Sequence, residues 1–175
     1  AFITSRCYEQ IKCSIAAMNQ NVNLIGIGVG LGYADAGPTH YTTEDIATMR
    51  VFPNIEILTP SDEFTTSKIA KYCIKENGFR FIRLDRDALP HIYNDTEINL
   101  SEGFKEIYKG DKTCVISSGY LLNQIYYLMK ESKYEFGLID LFRAKPIDKK
   151  LVNVMTLTNF LSLIHISEPT RPYLI

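Results

Sequence analysis

The chain has 175 residues, 46% of them apolar, and a formal net charge of −1. That length makes one large domain or two small ones, and near-neutral charge without a basic stripe argues against nucleic acid as a partner. No apolar run approaches the ~20 residues of a membrane helix, so no membrane partner is expected.

No signal peptide is visible. The four cysteines (Cys7, Cys13, Cys73 and Cys114) form no Cys-x-x-Cys pair and no metal-ligand spacing with histidine. They read as reduced thiols of a cytoplasmic protein. The chain opens at Ala1, and Tyr8, Ile11, Ile15 and Met18 recur at helical spacing. This reads as a start inside or just before a helix, with more protein upstream. That helix should end near Asn19-Gln20-Asn21. Residues 22–29 read as a buried strand in which Gly26 and Gly28 begin a run of alternate glycines through Gly30 and Gly32. One strand face is then bare backbone, which lets either a helix or a ligand approach closely.

Gly37-Pro38 forms a tight turn that delivers His40 to a loop, where a side chain that titrates near neutrality is placed for chemistry. A capping or core role is the competing reading. Thr42 and Asp45 predict a capping arrangement at a helix start, and that helix ends before Pro53. Residues 55–58 read as a strand. Thr59-Pro60-Ser61-Asp62 then predicts a helix with Thr59 as its cap and Pro60 in its first turn. Ile69, Ala70, Cys73 and Ile74 give that helix its stripe, Gly78 ends it, and residues 79–84 form a strand. Alternating helices and strands imply an α/β fold, a parallel sheet with helices on both faces.

Residues 86–100, rich in turn formers, read as a connection. A truncated second α/β domain follows, with strands at 104–108, 113–117 and 136–141 and a helix at 121–130; alone it is expected to be marginal. A helical pattern over 149–155 trails into a segment with no clear partner. Residues 161–175 resemble a translated sequencing adaptor and stand outside the fold reading, so His165 carries no functional weight.

The glycine run fails the dinucleotide fingerprint, because the sixth positions are Leu31, Tyr33 and Asp35, and no Gly-Lys-Ser/Thr loop is present. The polar candidates are Asp35 and His40, at the carboxyl end of the glycine strand, and Arg86, just past the strand at 79–84. Ligands of parallel sheets bind at such strand ends, and an arginine there holds phosphate well. A surface ion pair of Arg86 with Asp85 or Asp87 and a turn-forming Asp35 stand as alternatives. His91 reads as an exposed connecting residue.

Taken together, Phe2 to Ile11, Gly37-Pro38-Thr39-His40 with Glu44 to Asn54, Thr59 to Asp62, and Phe81 to Arg86 resemble the pyrimidine-binding domain of transketolase-like enzymes. Residues 101–158, with Leu141-Phe142-Arg143 and Lys145-Pro146-Ile147-Asp148, resemble the start of the C-terminal domain of that family. The resemblance implies a pyrimidine-binding domain over 1–88, a linker over 89–100 and a partial C-terminal domain over 101–160. It implies thiamine diphosphate as cofactor, with its divalent metal (magnesium) on a diphosphate-binding domain or subunit outside this sequence. Cytoplasmic homodimers or heterotetramers acting on sugars are implied as well.

By the same resemblance, His40 contacts substrate hydroxyl and carbonyl groups and moves protons, Arg86 holds a sugar phosphate, and Phe2 packs on the pyrimidine ring. Asp35 stands one position earlier than the family's acidic residue, and Gly28 replaces a histidine that contacts phosphate. These departures point away from a standard pentose phosphate substrate. The expected activity is ketol transfer from a ketose to an aldehyde, with this chain inactive alone. A deoxyxylulose phosphate synthase, a 2-oxo acid dehydrogenase beta subunit and a non-catalytic assembly subunit are the alternatives.

Overall fold

The computed structural model describes residues 1–94, 98–110, 113–131, 136–155 and 159–162. The amino-terminal segment is helical, with the short α1 (Tyr8–Gln10) flanked by wide π-helical turns at Phe2–Arg6 and Ile11–Ala16. Ile3, Tyr8, Ile11 and Ile15 meet Met49, Phe52, Ile55, Ile57, Phe79 and Phe81 in the first core. Met18 lies past the last helical turn and is exposed.

Strands β1 (Val22–Ile27), β2 (Ile55–Leu58), β3 (Phe79–Leu84) and β7 (Arg143–Lys145) form one sheet in the order β1-β3-β2-β7. β1 and β2 run parallel to β3, as alternation predicts, but β7 joins antiparallel to β2. The sheet is therefore mixed, and its fourth strand comes from far down the chain. The second sheet has the order β4 (Lys105–Tyr108), β6 (Gly137–Asp140), β5 (Thr113–Ser117), β8 (Asn159–Ser162). β4 is antiparallel to β6; β5 runs parallel to both β6 and β8. Thus the pattern that trails off after residue 155 ends in a paired strand. Two residues of the adaptor-like stretch, Leu161 and Ser162, fall in β8, and the remainder lies outside the described residues.

Two expectations about β1 are corrected. It is an edge strand among those described and stops at Ile27, leaving Ile25 and Ile27 exposed. Its glycine face receives helix and core: a Cβ on Gly26 would stand 3.0 Å from the Phe81 ring and 3.5 Å from Ile3. Gly28 and Gly30 have positive φ and belong to a loop rather than the strand.

Helix α3 (Glu63–Lys75) covers the other sheet face, where Ile69 packs with Leu58 and Ile82. Its cap is Asp62, whose carboxylate accepts from the backbone N–H and hydroxyl of Thr65, both at 2.8 Å. Thr59, the residue the sequence assigns to that role, is drawn elsewhere. Its N–H donates to Phe142 O and its hydroxyl accepts from Arg83. Likewise Thr42 and Asp45 do not cap each other. Helix α2 (Asp45–Met49) is short, and buried Asp45 accepts two bonds from Arg83, at 2.8 and 3.0 Å.

The segment after residue 89 packs instead of merely connecting. Tyr93 and Ile98 are buried against Phe142. The Tyr93 hydroxyl donates to Asp140 at 3.0 Å, and the Ser61 hydroxyl donates to the same carboxylate at 2.7 Å. Asp140 thus joins β6 of the second sheet to the start of α3 and the connecting segment. Helix α4 (Gly119–Glu131) packs Leu122 on Val115 and Leu138, and α5 (Lys149–Met155) buries Leu151 against Ile116 and Ile139.

Removing one partner of the Arg83–Asp45 pair strands a buried charge. Asp45→Ala should therefore cost about 3–5 kcal/mol in denaturant unfolding. A second prediction concerns pH. Burial pushes the Asp140 carboxyl up to about 7, with the Asp62 charge adding to it and the Ser61 and Tyr93 bonds opposing. Between its ordinary value of 3.8 and about 7, the folded protein binds the extra proton. Stability should accordingly fall as pH rises through that window, by at most about 1.4 kcal/mol per pH unit. Asp140→Asn should flatten the slope in unfolding curves recorded from pH 4 to 8.

Candidate functional site

Beyond β1 the chain leaves the sheet in a loop that closes at its own neck. Thr42 N–H donates to Gly30 O at 2.9 Å, and the Thr42 hydroxyl donates to Gly28 O at 2.8 Å. Gly37 sits at φ 83°, a conformation open to glycine, with no neighbour within 4 Å of where its Cβ would be. The next three residues form a 3₁₀ turn, Pro38–His40, with His40 N–H bonded to Gly37 O at 3.0 Å. The sequence reading of a Gly-Pro turn that presents a histidine is what the backbone does.

The four sequence-predicted residues come together. The Phe2 ring meets the His40 ring edge-on, with centroids 4.8 Å apart. The Tyr33 ring also neighbours His40, 6.3 Å between centroids, and the Arg86 guanidinium lies 4.6 Å from the centre of the Tyr33 ring. Arg86 then reaches across to Asp35, Nη1 to Oδ1 at 2.7 Å, and to the carbonyl of Gly32 at 3.3 Å. The result is a continuous band: Phe2, His40, Tyr33, Arg86, Asp35. His40 is half-buried, Phe2 is 40% exposed, and the Arg86 and Asp35 side chains are open to solvent. The hydrogen bond and charge of Arg86 hold the Asp35 carboxyl below the usual carboxylate range.

Of the open alternatives for Arg86, the ion pair forms with a different partner. Asp35 takes it, across 51 residues of sequence, while Asp85 accepts from the N–H of Tyr120 at 3.2 Å. His91 is exposed, as read, 3.6 Å from Glu63. The Thr39 hydroxyl stands 3.1 Å from His40 Nδ1 and restrains the ring. Past Arg86 opens a cleft of about 460 Å³ at the carboxyl end of β3 and the start of α3. Among the described residues no three His, Cys, Asp or Glu side chains gather where a metal ion would sit.

Tyr33 is the site residue that sequence reasoning missed. Its ring lies against Gly28, whose missing Cβ leaves the room; a side chain there would run into the ring. The signal was present as the one aromatic residue between the glycine strand and Gly37, but its partner lies on another strand end. Gly37→Ala meets only the backbone penalty of a nearly glycine-only φ/ψ region and should cost about 1–3 kcal/mol. Gly28→Ala strains a positive φ and must also displace the Tyr33 ring, so it should cost more than Gly37→Ala, by about 1 kcal/mol or more. Urea titrations of both variants check the difference.

Residues 1–91 match the family described as "Transketolase, pyrimidine binding domain". A subunit of the apulose-4-phosphate transketolase of Phocaeicola vulgatus is 26% identical over 155 residues, covering 86% of this chain and 50% of that protein. Human transketolase is 32% identical over 158 residues, covering 87% of this chain and 25% of that protein. A solved structure of a split-gene transketolase, an inactive beta4 tetramer, superposes with a TM-score of 0.77 at 25% identity. It covers 92% of this chain and 53% of that one. The chain thus spans about half the length of the bacterial relative and a quarter of the human enzyme. With its model matched over more than half of the 175 residues, the chain belongs to the transketolase pyrimidine-binding domain family.

Proposed function

We propose that the intact protein is a thiamine diphosphate-dependent, transketolase-like transferase that moves a ketol unit from a ketose to an aldehyde. The observation that carries this reading is the band itself. Four separate stretches of chain bring Phe2, Tyr33 with Asp35, His40, and Arg86 to one face at the ends of β1 and β3. The exposed Phe2 ring beside His40 fits an aminopyrimidine, offering an apolar plane next to an imidazole. Bound there, the cofactor supplies the carbanion chemistry at the ketone carbon.

This chain's own residues bind and orient. His40, held by Thr39 and neighboured by two rings, donates to developing oxyanions and relays protons of substrate hydroxyls. Arg86 and Asp35 receive the far end of the sugar. In this reading residues 1–88 are the pyrimidine-binding domain, 89–100 a connection and 101–160 the start of the C-terminal domain. The diphosphate and its magnesium belong to a separate domain or subunit, in a cytoplasmic homodimer or heterotetramer of carbohydrate metabolism. The naming of the Phocaeicola vulgatus relative as one subunit of its enzyme supports the split arrangement.

The test is His40→Ala in the complete enzyme that contains this chain, assayed for ketol transfer between a ketose and an aldehyde. The expected loss in kcat/KM is about 10²–10⁴-fold, with the fold retained by circular dichroism. Decarboxylation of a 2-oxo acid without ketol transfer would overturn the reading.

A further inference from the structure

We propose that the buried polar centre around Asp140 binds one alkali-metal cation (potassium or sodium), with Asp140, Ser117 and Asn123 as its oxygen ligands. Two orphaned oxygens mark the place. Ser117 Oγ and Asn123 Oδ1 have no hydrogen-bond partner among the described residues, and both residues are wholly buried. Buried polar atoms are paired as a rule, and one left over by the protein calls for a water or an ion.

The fold sets both oxygens beside Asp140. Ser117 and Asp140 are register partners on the adjacent parallel strands β5 and β6, so their side chains leave the same face of the sheet. Two residues earlier on each strand, Val115 and Leu138 pack that face against Leu122 of α4. Asn123 follows Leu122 and stands one turn after Gly119, on the same side of the helix. Gly119 N–H donates to Ser61 Oγ at 3.3 Å, and Ser61 Oγ donates to Asp140 Oδ1 at 2.7 Å. The amide nitrogen of Asn123 donates to Pro90 O at 2.7 Å, which leaves its oxygen for another partner. Three residues beyond Pro90, Tyr93 donates to Asp140 Oδ2 at 3.0 Å. Sheet, helix and connecting segment thus enclose the carboxylate and both oxygens.

Charge selects the occupant. Asp140 is wholly buried and takes two neutral hydroxyls, and the charge that bears on it is a second carboxylate, Asp62. Asp62 spends one oxygen on Thr65 and the other on the N–H groups of Ile92 and Tyr93. Lys105 is turned to the Tyr93 ring, 5.2 Å from its centre, and Asp85 is turned to the N–H of Tyr120. Buried charges are paired or coordinate metals. Each Asp140 oxygen keeps a further lone pair after its hydroxyl bond. One carboxylate with neutral hydroxyl and amide oxygens is a hard donor set, and its single negative charge matches a monovalent ion. Cation and proton compete for that carboxylate. Burial lifts the carboxyl to about 7, so the cation should bind above that pH and be displaced below it.

The experiment is thermal unfolding of the complete enzyme at pH 8 in potassium, sodium or choline chloride of equal ionic strength. Choline is too bulky for an enclosed site. Potassium or sodium should raise the midpoint over choline by about 2 °C or more, and the gain should vanish at pH 5. Ser117→Ala and Asp140→Asn should each abolish it. Ser117→Ala removes one unpartnered hydroxyl, so in choline its midpoint should match or exceed that of the parent. Equal midpoints in all three salts overturn the site, and a Ser117→Ala penalty common to all three identifies a trapped water in its place. A cation gain that survives both variants arises elsewhere in the enzyme and overturns the site as well.

Discussion

The buried pair of Arg83 and Asp45 is the constraint on which the candidate site depends. Both oxygens of Asp45 take N–H groups of the guanidinium, and Arg83 passes its remaining nitrogen to the hydroxyl of Thr59. One arginine on β3 therefore ties α2 to the carboxyl end of β2. α2 follows directly on the neck residue Thr42, and Arg86 follows three residues after Arg83 on the same chain end. Fixing Asp45 against β3 thus fixes the loop carrying His40 against the strand end carrying Arg86. Two buried charges are costly alone, and fork-shaped donation to both carboxylate oxygens is the geometry that offsets that cost.

A second polar centre ties the two sheets together. Asp140 sits fully buried in β6 with hydroxyls from Ser61 and Tyr93 on its oxygens. Close by, Asp62 caps α3 with one oxygen and accepts the N–H groups of Ile92 and Tyr93 with the other. Arg143 on β7 extends the same connection, reaching Glu56 at 3.4 Å and the carbonyl of Ser101 at 2.8 Å. With β7 paired to β2, the end of the first sheet is built from the second half of the chain. The proposed active face stands at the ends of β1 and β3, where Asp85, next to Arg86, accepts from the N–H of Tyr120 at the start of α4.

Much of the fold was legible because it follows from local rules. The strands at 55–58, 79–84 and 113–117 were read at their observed bounds, and α4 within two residues at its start and one at its end. Apolar period and turn chemistry are properties of short windows. The errors share one cause. Thr42, Asp45 and Thr59 are good capping residues by type, but each was claimed by a partner on another element, and a buried hydroxyl or carboxylate goes where it is satisfied. On the glycine run, the close-packing alternative is what formed at Gly26, against Phe81 and Ile3, whereas Gly28 and Gly30 turned out of the strand with positive φ.

The amino-acid sequence by itself determined the order of elements, the Gly37-Pro38 turn that presents His40, and the position of Arg86 at a strand end, since each rests on a few adjacent residues. Tertiary structure decided the partners. Arg83 found Asp45 across 38 residues, Arg86 found Asp35 across 51, and Ser61 found Asp140 across 79. It also decided that Tyr33 fills the slot at Gly28, and that β7 runs antiparallel along β2. Charges and hydrogen bonds pair by proximity in space, and a linear chain leaves that proximity open until the sheets have formed.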